Sequence, residues 1–415
     1  TSVDFDVDER YFNSIFEMAT QLRRLNGLAA TGWFNITPPR ATAETIRDEG
    51  WRTKKVGTVR LQPGMDWDNV VAQDRSVAFH LHAWEPFDAV MLQYEETRTE
   101  EWLDWLESIA LDWVQYTRVT SNEDSMAWYD MSLSLRTPRL LRIAKWCLDA
   151  GRLNSAVVLL GSLCEHLENL QDPSVFMAQN NHGFYCAASQ LDAAQHLGTG
   201  AKLLEATASQ GRKRMKIMTN RQFASDGGHR EHSPAYHLML LKSFASLVDE
   251  GIIDDETIIE RIRLANSNLA WMIAPDGKIL QFGDTESGVV PEQAFVFEDT
   301  FADYVLSKGT RGTAPAADLH VLKKSGYVFV RPSGTPVEKQ SYLAYMCAFH
   351  SRAHKHADDH TFVWWENGVE ILIDPGRFGY LDRLPAKSPD RLKGFFYSRP
   401  ERQYCLLYTS DAADD

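Results

Sequence analysis

The 415-residue chain contains no apolar run close to the roughly 20 residues that span a bilayer, so no transmembrane helix is expected. Cysteine is scarce. Cys147, Cys164, Cys186, Cys347 and Cys405 are odd in number and widely spaced, which leaves no disulfide framework to read. The first three sit in helix-like apolar contexts and read as small core residues. Positive charge is also short: 43 Lys and Arg stand against 57 Asp and Glu, a formal net charge of −14. That argues against nucleic acid as a main partner, because such binding runs on clustered cations. It argues more mildly against a densely sulfated polyanion, which would need a local basic cleft. The stretch Thr1-Ser2-Val3-Asp4 lacks a basic region followed by an apolar one, so a signal peptide is expected to be absent or already removed, with secretion open.

Aromatic residues are plentiful, with 12 Trp, 14 Tyr and 20 Phe. Cores use them, and so do carbohydrate clefts, where flat rings cover the apolar faces of sugars. From about residue 85 to 275 the pattern is helix after helix. In 100–116 the residues Trp102, Leu103, Leu106, Ile109 and Trp113 keep the 3.6-residue period of one buried face. Similar patterns occupy 154–170, 191–218, 234–248 and 255–273, separated by breaks such as Asp149-Ala150-Gly151. After about residue 310 come short β-type runs at 320–322, 326–330, 341–349, 360–365 and 369–373, with Asn367-Gly368 as a hairpin signal. Helices followed by strands imply two domains or an α+β arrangement, with the break expected in 308–317.

Three segments carry candidate chemistry. Four of the 13 histidines, His350, His354, His356 and His360, fall within eleven residues, on or between expected strands. On a strand, His354 and His356 project to one face, and Asp374 ends a neighbouring run. That set suits a metal site, a proton-handling site or merely a polar sheet edge. Asn180-Asn181-His182-Gly183 precedes an apolar run, and either asparagine serves as a helix cap. In Glu231-His232-Ser233-Pro234-Ala235-Tyr236-His237, Ser233 fits the position before a helix and Pro234 its first residue. Tyr236 then lies in the first turn, where the free N–H groups favour negative charge. Plain packing accounts for the same tyrosine. Together these residues suit β-elimination from a uronate, which needs a base for the C5 proton, an acid for the leaving O4 and a neutraliser for the carboxylate.

The chain resembles the heparinase II/III-like polysaccharide lyases. The resemblance is carried, in order, by Gln73-Asp74-Arg75-Ser76-Val77-Ala78-Phe79-His80-Leu81-His82-Ala83-Trp84, by Trp128-Tyr129-Asp130-Met131 with Arg136, and by the segments at Asn180 and Glu231. It continues through Ser325-Gly326-Tyr327, His354-Lys355-His356-Ala357-Asp358 and Asp374-Pro375-Gly376. It implies an N-terminal (α/α) toroid followed by a C-terminal antiparallel β-sandwich: an arm at 1–60, the toroid at 61–307 and the sandwich at 318–404. Asn181 is then the carboxylate neutraliser, His182 a base or second neutraliser, Tyr236 the general acid, and His354 a further catalytic residue. His82, Trp128, Arg136, Glu231 and His232 are expected to bind substrate, and His356 and Asp374 to hold a structural zinc. The expected partner is an acidic polysaccharide met in the periplasm or outside the cell. In the family a His-Asn motif follows the strand after Ser398–Tyr404. Here the pattern stops at Cys405, so the sandwich and zinc site are expected to be incomplete and 405–415 to be a tail foreign to the fold. Two other classes remain: a glycoside hydrolase using a carboxylate pair among Glu231, Asp284 and Glu286, and a non-catalytic glycan-binding protein.

Overall fold

The computed structural model describes residues 7–376, apart from 31, 36–38, 121, 123, 296, 351–353, 357 and 358. The expected tail and the strand after Ser398 therefore lie outside the described residues. Two compact units divide the chain, the first within Thr1–Met218 together with Asp249–Ile252, the second within Thr219–Val248 and Ile253–Asp415. The last helices group with the sheet rather than with the earlier helices.

The first unit is built from α1 (Phe12–Arg24), a small hairpin of β1 (Trp51–Thr53) and β2 (Gly57–Val59), α2 (Arg75–His82), α3 (Asp88–Thr97), α4 (Glu100–Val119), α5 (Asp130–Asp149), α6 (Leu153–Gln171), α7 (His182–Leu197) and most of α8 (Lys202–Gln222). The periodic run at 191–218 is two helices, because Gly198-Thr199-Gly200 interrupts it and Gly198 takes φ +75°. α5 falls in the stretch expected to be helical, but its own bounds were not legible, since Pro138 and three arginines break an apolar stripe. It is nonetheless buried from Met131 to Leu148. Its cations are matched inside: Arg139 forms a two-pronged bond to Asp88 (2.6 and 2.7 Å), and Arg142 reaches Asp192 at 3.2 Å. Pro138 has no N–H for the Ser134 carbonyl, and the Ser189 hydroxyl donates to that carbonyl instead.

The second unit contains α9 (Pro234–Asp249), α10 (Glu256–Trp271), α11 (Thr300–Leu306) and a five-stranded antiparallel meander of β3 (Leu319–Leu322), β4 (Tyr327–Val330), β5 (Tyr342–Met346), β6 (Thr361–Glu366) and β7 (Val369–Leu372). Burial alternates along β5 and β6, as a half-covered sheet requires. The inner face packs Tyr327, Phe329, Tyr342, Ala344, Met346, Val363 and Trp365 against Trp271 and Phe282. Asn367 and Gly368, at φ +52° and +75°, make the expected tight turn between β6 and β7. Helices followed by an antiparallel sheet agree with the expected fold class. Among the described residues, no helix is long and apolar enough to cross a membrane.

Candidate active site

In the first unit α7 opens at His182. Asn180 Oδ1 accepts the His182 backbone N–H (3.0 Å), so the capping role falls to Asn180, while the Asn181 carbonyl accepts from Phe184 N–H (3.0 Å). Gly183 is needed because a Cβ there would lie 2.6 Å from the Met177 carbonyl oxygen and 2.8 Å from Met218 Sδ. His182 Nδ1 pairs with Asp130 Oδ2 at 3.0 Å, and Tyr129 meets the imidazole edge-on at 5.9 Å. A carboxylate on Nδ1 favours the tautomer whose lone pair is on Nε2. Asp130 lies inside the Trp128–Met131 segment. Only its position three-dimensionally beside His182 reveals its use.

Trp128 is 36% exposed, and its ring rests on His166 (5.1 Å) and Trp113 (5.9 Å). Behind it the Arg136 guanidinium covers Trp113 at 3.9 Å, donates from Nε to His166 Nε2 (2.8 Å) and from Nη1 to the His82 carbonyl (2.5 Å). His82 takes the Trp113 indole N–H on Nδ1 (3.2 Å) and faces Asp68 Oδ1 through Nε2 (3.1 Å). Burial pushes both the Arg136 and the His82 titrations down. His82 and Arg136, expected to bind substrate, are enclosed. Neither has exposed surface, so they support Trp128 from within.

In the second unit Tyr236 lies in the first turn of α9, as expected. The Ser233 carbonyl accepts from His237 N–H (2.9 Å), and Thr285 Oγ1 accepts the Ala235 N–H (3.2 Å) while bonding Ser233 Oγ (2.8 Å). The Tyr236 and His354 rings stack with centroids 3.5 Å apart and planes 19° from parallel. His354 Nδ1 pairs with Glu231 Oε2 at 2.6 Å. Glu231 is 3% exposed and its Oε1 is buried without a hydrogen-bond partner among the described residues. His232, wholly buried, accepts the His350 backbone N–H on Nε2 (3.1 Å), and burial, then Lys355 and His350, push its pKa to about 3. Glu231 and His232, expected to bind substrate, are likewise enclosed, facing His354 and His350.

His354 and His356 do not share a strand face. They lie in the connection between β5 and β6, with His354 at φ +55° and His232 at φ +57°, conformations that are costly for residues with a Cβ. Gly283 allows both bends: a Cβ there would meet the His354 carbonyl oxygen at 2.5 Å and that of His232 at 2.8 Å. The next residue, Asp284, donates its N–H to the His354 carbonyl (2.8 Å) and places Oδ1 2.9 Å from His356 Nε2. Asp374 accepts from Thr361 Oγ1 (3.2 Å) and Gly376 N–H (2.9 Å). Among the described residues no group of three or more His, Cys, Asp and Glu side chains is placed to hold a metal. Glu231 and Asp284, two of the three carboxylates weighed for hydrolysis, each pair with an imidazole.

A family model described as the heparinase II/III N-terminus matches residues 39–260, more than half of the chain. The chain is similar to a solved heparinase III at 15% identity and a TM-score of 0.69, covering 95% of this chain and 68% of that one. It is also similar to a heparinase III gene product (17% identity, TM-score 0.66, 90% and 62% covered). A third likeness is to heparan sulfate lyase HepC from Pedobacter heparinus (17%, 0.66, 93% and 63%). The chain spans 62% to 68% of the length of these structures, a likeness of fold. No curated protein matches it in sequence.

Proposed function

Because the chain belongs to the heparinase II/III family, we propose that it is a polysaccharide lyase cutting a uronate-containing polymer by β-elimination. The observation that carries this reading is the Glu231–His354–Tyr236 array, a buried carboxylate, an imidazole and a phenol in direct succession. In the reaction the C5–H bond breaks, the C4=C5 double bond forms and the C4–O4 bond breaks. Tyr236 is assigned as the acid that protonates O4. The Glu231 carboxylate accepts the His354 Nδ1 proton and leaves Nε2 with a lone pair, which suits it to receive or relay a proton. Asn181 is assigned the substrate carboxylate through its side-chain amide, where negative charge grows as the C5 proton leaves. His182, held by Asp130, is assigned beside it as base or second neutraliser. His356 and Asp374 enter no step.

Such a polymer is met in the periplasm or outside the cell, where the chain is proposed to work. Elimination leaves an unsaturated uronate that absorbs in the far ultraviolet, which hydrolysis or binding alone does not. A scan of alginate, heparosan, heparan sulfate and hyaluronan should give that absorbance with at least one polymer. Reducing ends released without it would replace the lyase by a hydrolase, and no release from any polymer would overturn the reading.

A further inference from the structure

Cys347, His360 and Tyr345 form a chain of side chains on the sheet of the second unit, outside the Glu231–His354–Tyr236 array. We propose that Cys347 is a nucleophilic thiol with His360 as its base, a modification site that hydrogen peroxide oxidises. The inference does not depend on the lyase reading.

Strand register brings the three together. Met346 of β5 pairs with Thr361 of β6, so Cys347 and His360 stand opposite each other one step further along. Alternation along the strand puts Tyr345 and Cys347 on one face, opposite to the face that Tyr342, Ala344 and Met346 turn to the core. The Cys347 N–H donates to the Gly326 carbonyl (2.9 Å), which fixes the backbone under the sulfur. His360 Nε2 lies 3.7 Å from Cys347 Sγ, and Nδ1 lies 2.5 Å from the Tyr345 hydroxyl. With Nδ1–H donated to the Tyr345 oxygen, the Nε2 lone pair faces the thiol. Partial burial, then Cys347 and Asp359, raise the Tyr345 pKa, so the phenol stays neutral as it holds the ring.

The other described cysteines are placed differently. Cys147, Cys164 and Cys186 are buried in the first unit, and burial pushes their thiols up, to about 12 at Cys147 and Cys186. Thiols of that kind are inert, because the thiolate is the nucleophile. Cys347 is half-buried, open to a molecule as small as peroxide. As its sulfur attacks one peroxide oxygen, the S–H proton passes to His360 Nε2, the S–O bond forms and the O–O bond breaks. The departing hydroxide takes that proton and leaves as water. Sulfur is oxidised by two electrons to a sulfenic acid, and peroxide is reduced by two. Among the described residues no second cysteine lies in this unit, which leaves the sulfenic acid to a low-molecular-weight thiol. That thiol forms an S–S bond and releases water.

Alkylation of the full chain with iodoacetamide near neutral pH, read by mass spectrometry of the Cys347 peptide, tests the nucleophile. Cys347 should react about tenfold or more faster than N-acetylcysteine in the same solution, as an imidazole-assisted thiol does. His360→Gln should bring the rate down to that of the reference, with Tyr345→Phe between the two. Peroxide in the presence of dimedone should label the Cys347 peptide ahead of those of Cys147, Cys164 and Cys186. Parent reactivity no greater than that of N-acetylcysteine overturns the proposal, and this comparison decides even where a substitution unsettles the fold. A folded His360→Gln variant that reacts as fast as the parent overturns it too, as does peroxide labelling of the buried cysteines first.

Discussion

The Tyr236 phenol lies flat against the His354 imidazole, with ring centroids 3.5 Å apart, and the far side of that imidazole is anchored to Glu231. A ring pinned on one edge by a carboxylate and on its face by a second ring has little rotational freedom. In the proposed reaction the phenol then works beside an imidazole of fixed orientation.

Tyr236→Phe keeps the ring and its packing and removes only the proton carrier. Turnover should fall by about 10²- to 10⁴-fold, the usual share of general acid–base catalysis, while the melting temperature and oligosaccharide affinity hold. Near-parental kcat in initial-rate assays would reduce Tyr236 to a packing residue.

Glu231→Gln tests the anchor. The amide occupies the same space but supplies no charge, so His354 loses its charge-assisted bond. We expect kcat to drop by about tenfold or more with KM little changed, since Glu231 is enclosed. A rise in KM alone would return Glu231 to a substrate-binding role.

Asp88→Ala strands Arg139 in the interior of the first unit, where the pair has at most 4% side-chain exposure. Removing one partner of a buried pair costs about 3–5 kcal/mol. Urea unfolding followed by tryptophan fluorescence should show the loss, and a change below about 1 kcal/mol would mean that water or another group reaches Arg139.

Acid should loosen the second unit through His232 and His237. Burial lowers their folded pKa values to about 3 and about 4, against an unfolded value near 6.5. The unfolded chain then binds more protons between those limits. Stability is full above pH 6.5 and falls as pH drops towards 4, by about 1.4 kcal/mol per pH unit for each imidazole. Unfolding midpoints between pH 7.5 and 4.5 should show a shallower slope for His237→Gln than for the parent. Equal slopes would remove His237 from the effect.

Much of the fold was legible in the sequence, because periodicity reports which side of an element is buried. Helices α4, α6, α9 and α10 and strands β3 to β7 lie within a few residues of their expected bounds. α5 escaped because its buried face is completed by Arg136, Arg139 and Arg142, whose partners His166, Asp88 and Asp192 are 30 to 51 residues away. The site divides in the same way. Tyr236 at the start of α9 could be read from Ser233-Pro234, a local signal. That Glu231 belongs to His354 and Asp284 to His356 could not, since those partners are 123 and 72 residues apart in the chain. The alternation that put His354 and His356 on one face assumed an extended strand, and φ +55° at His354 breaks that assumption.

Gly283 has a consequence for how this protein varies. Its missing Cβ lets the backbones at His232 and His354 approach one point, so neither bend is free to change shape while the other stays. Residues 229–233, 283–285 and 354–356 should therefore be inherited as one block. A recombination library that crosses between them, drawing each from a different parent, should yield mostly inactive chimeras even when every named catalytic side chain is retained.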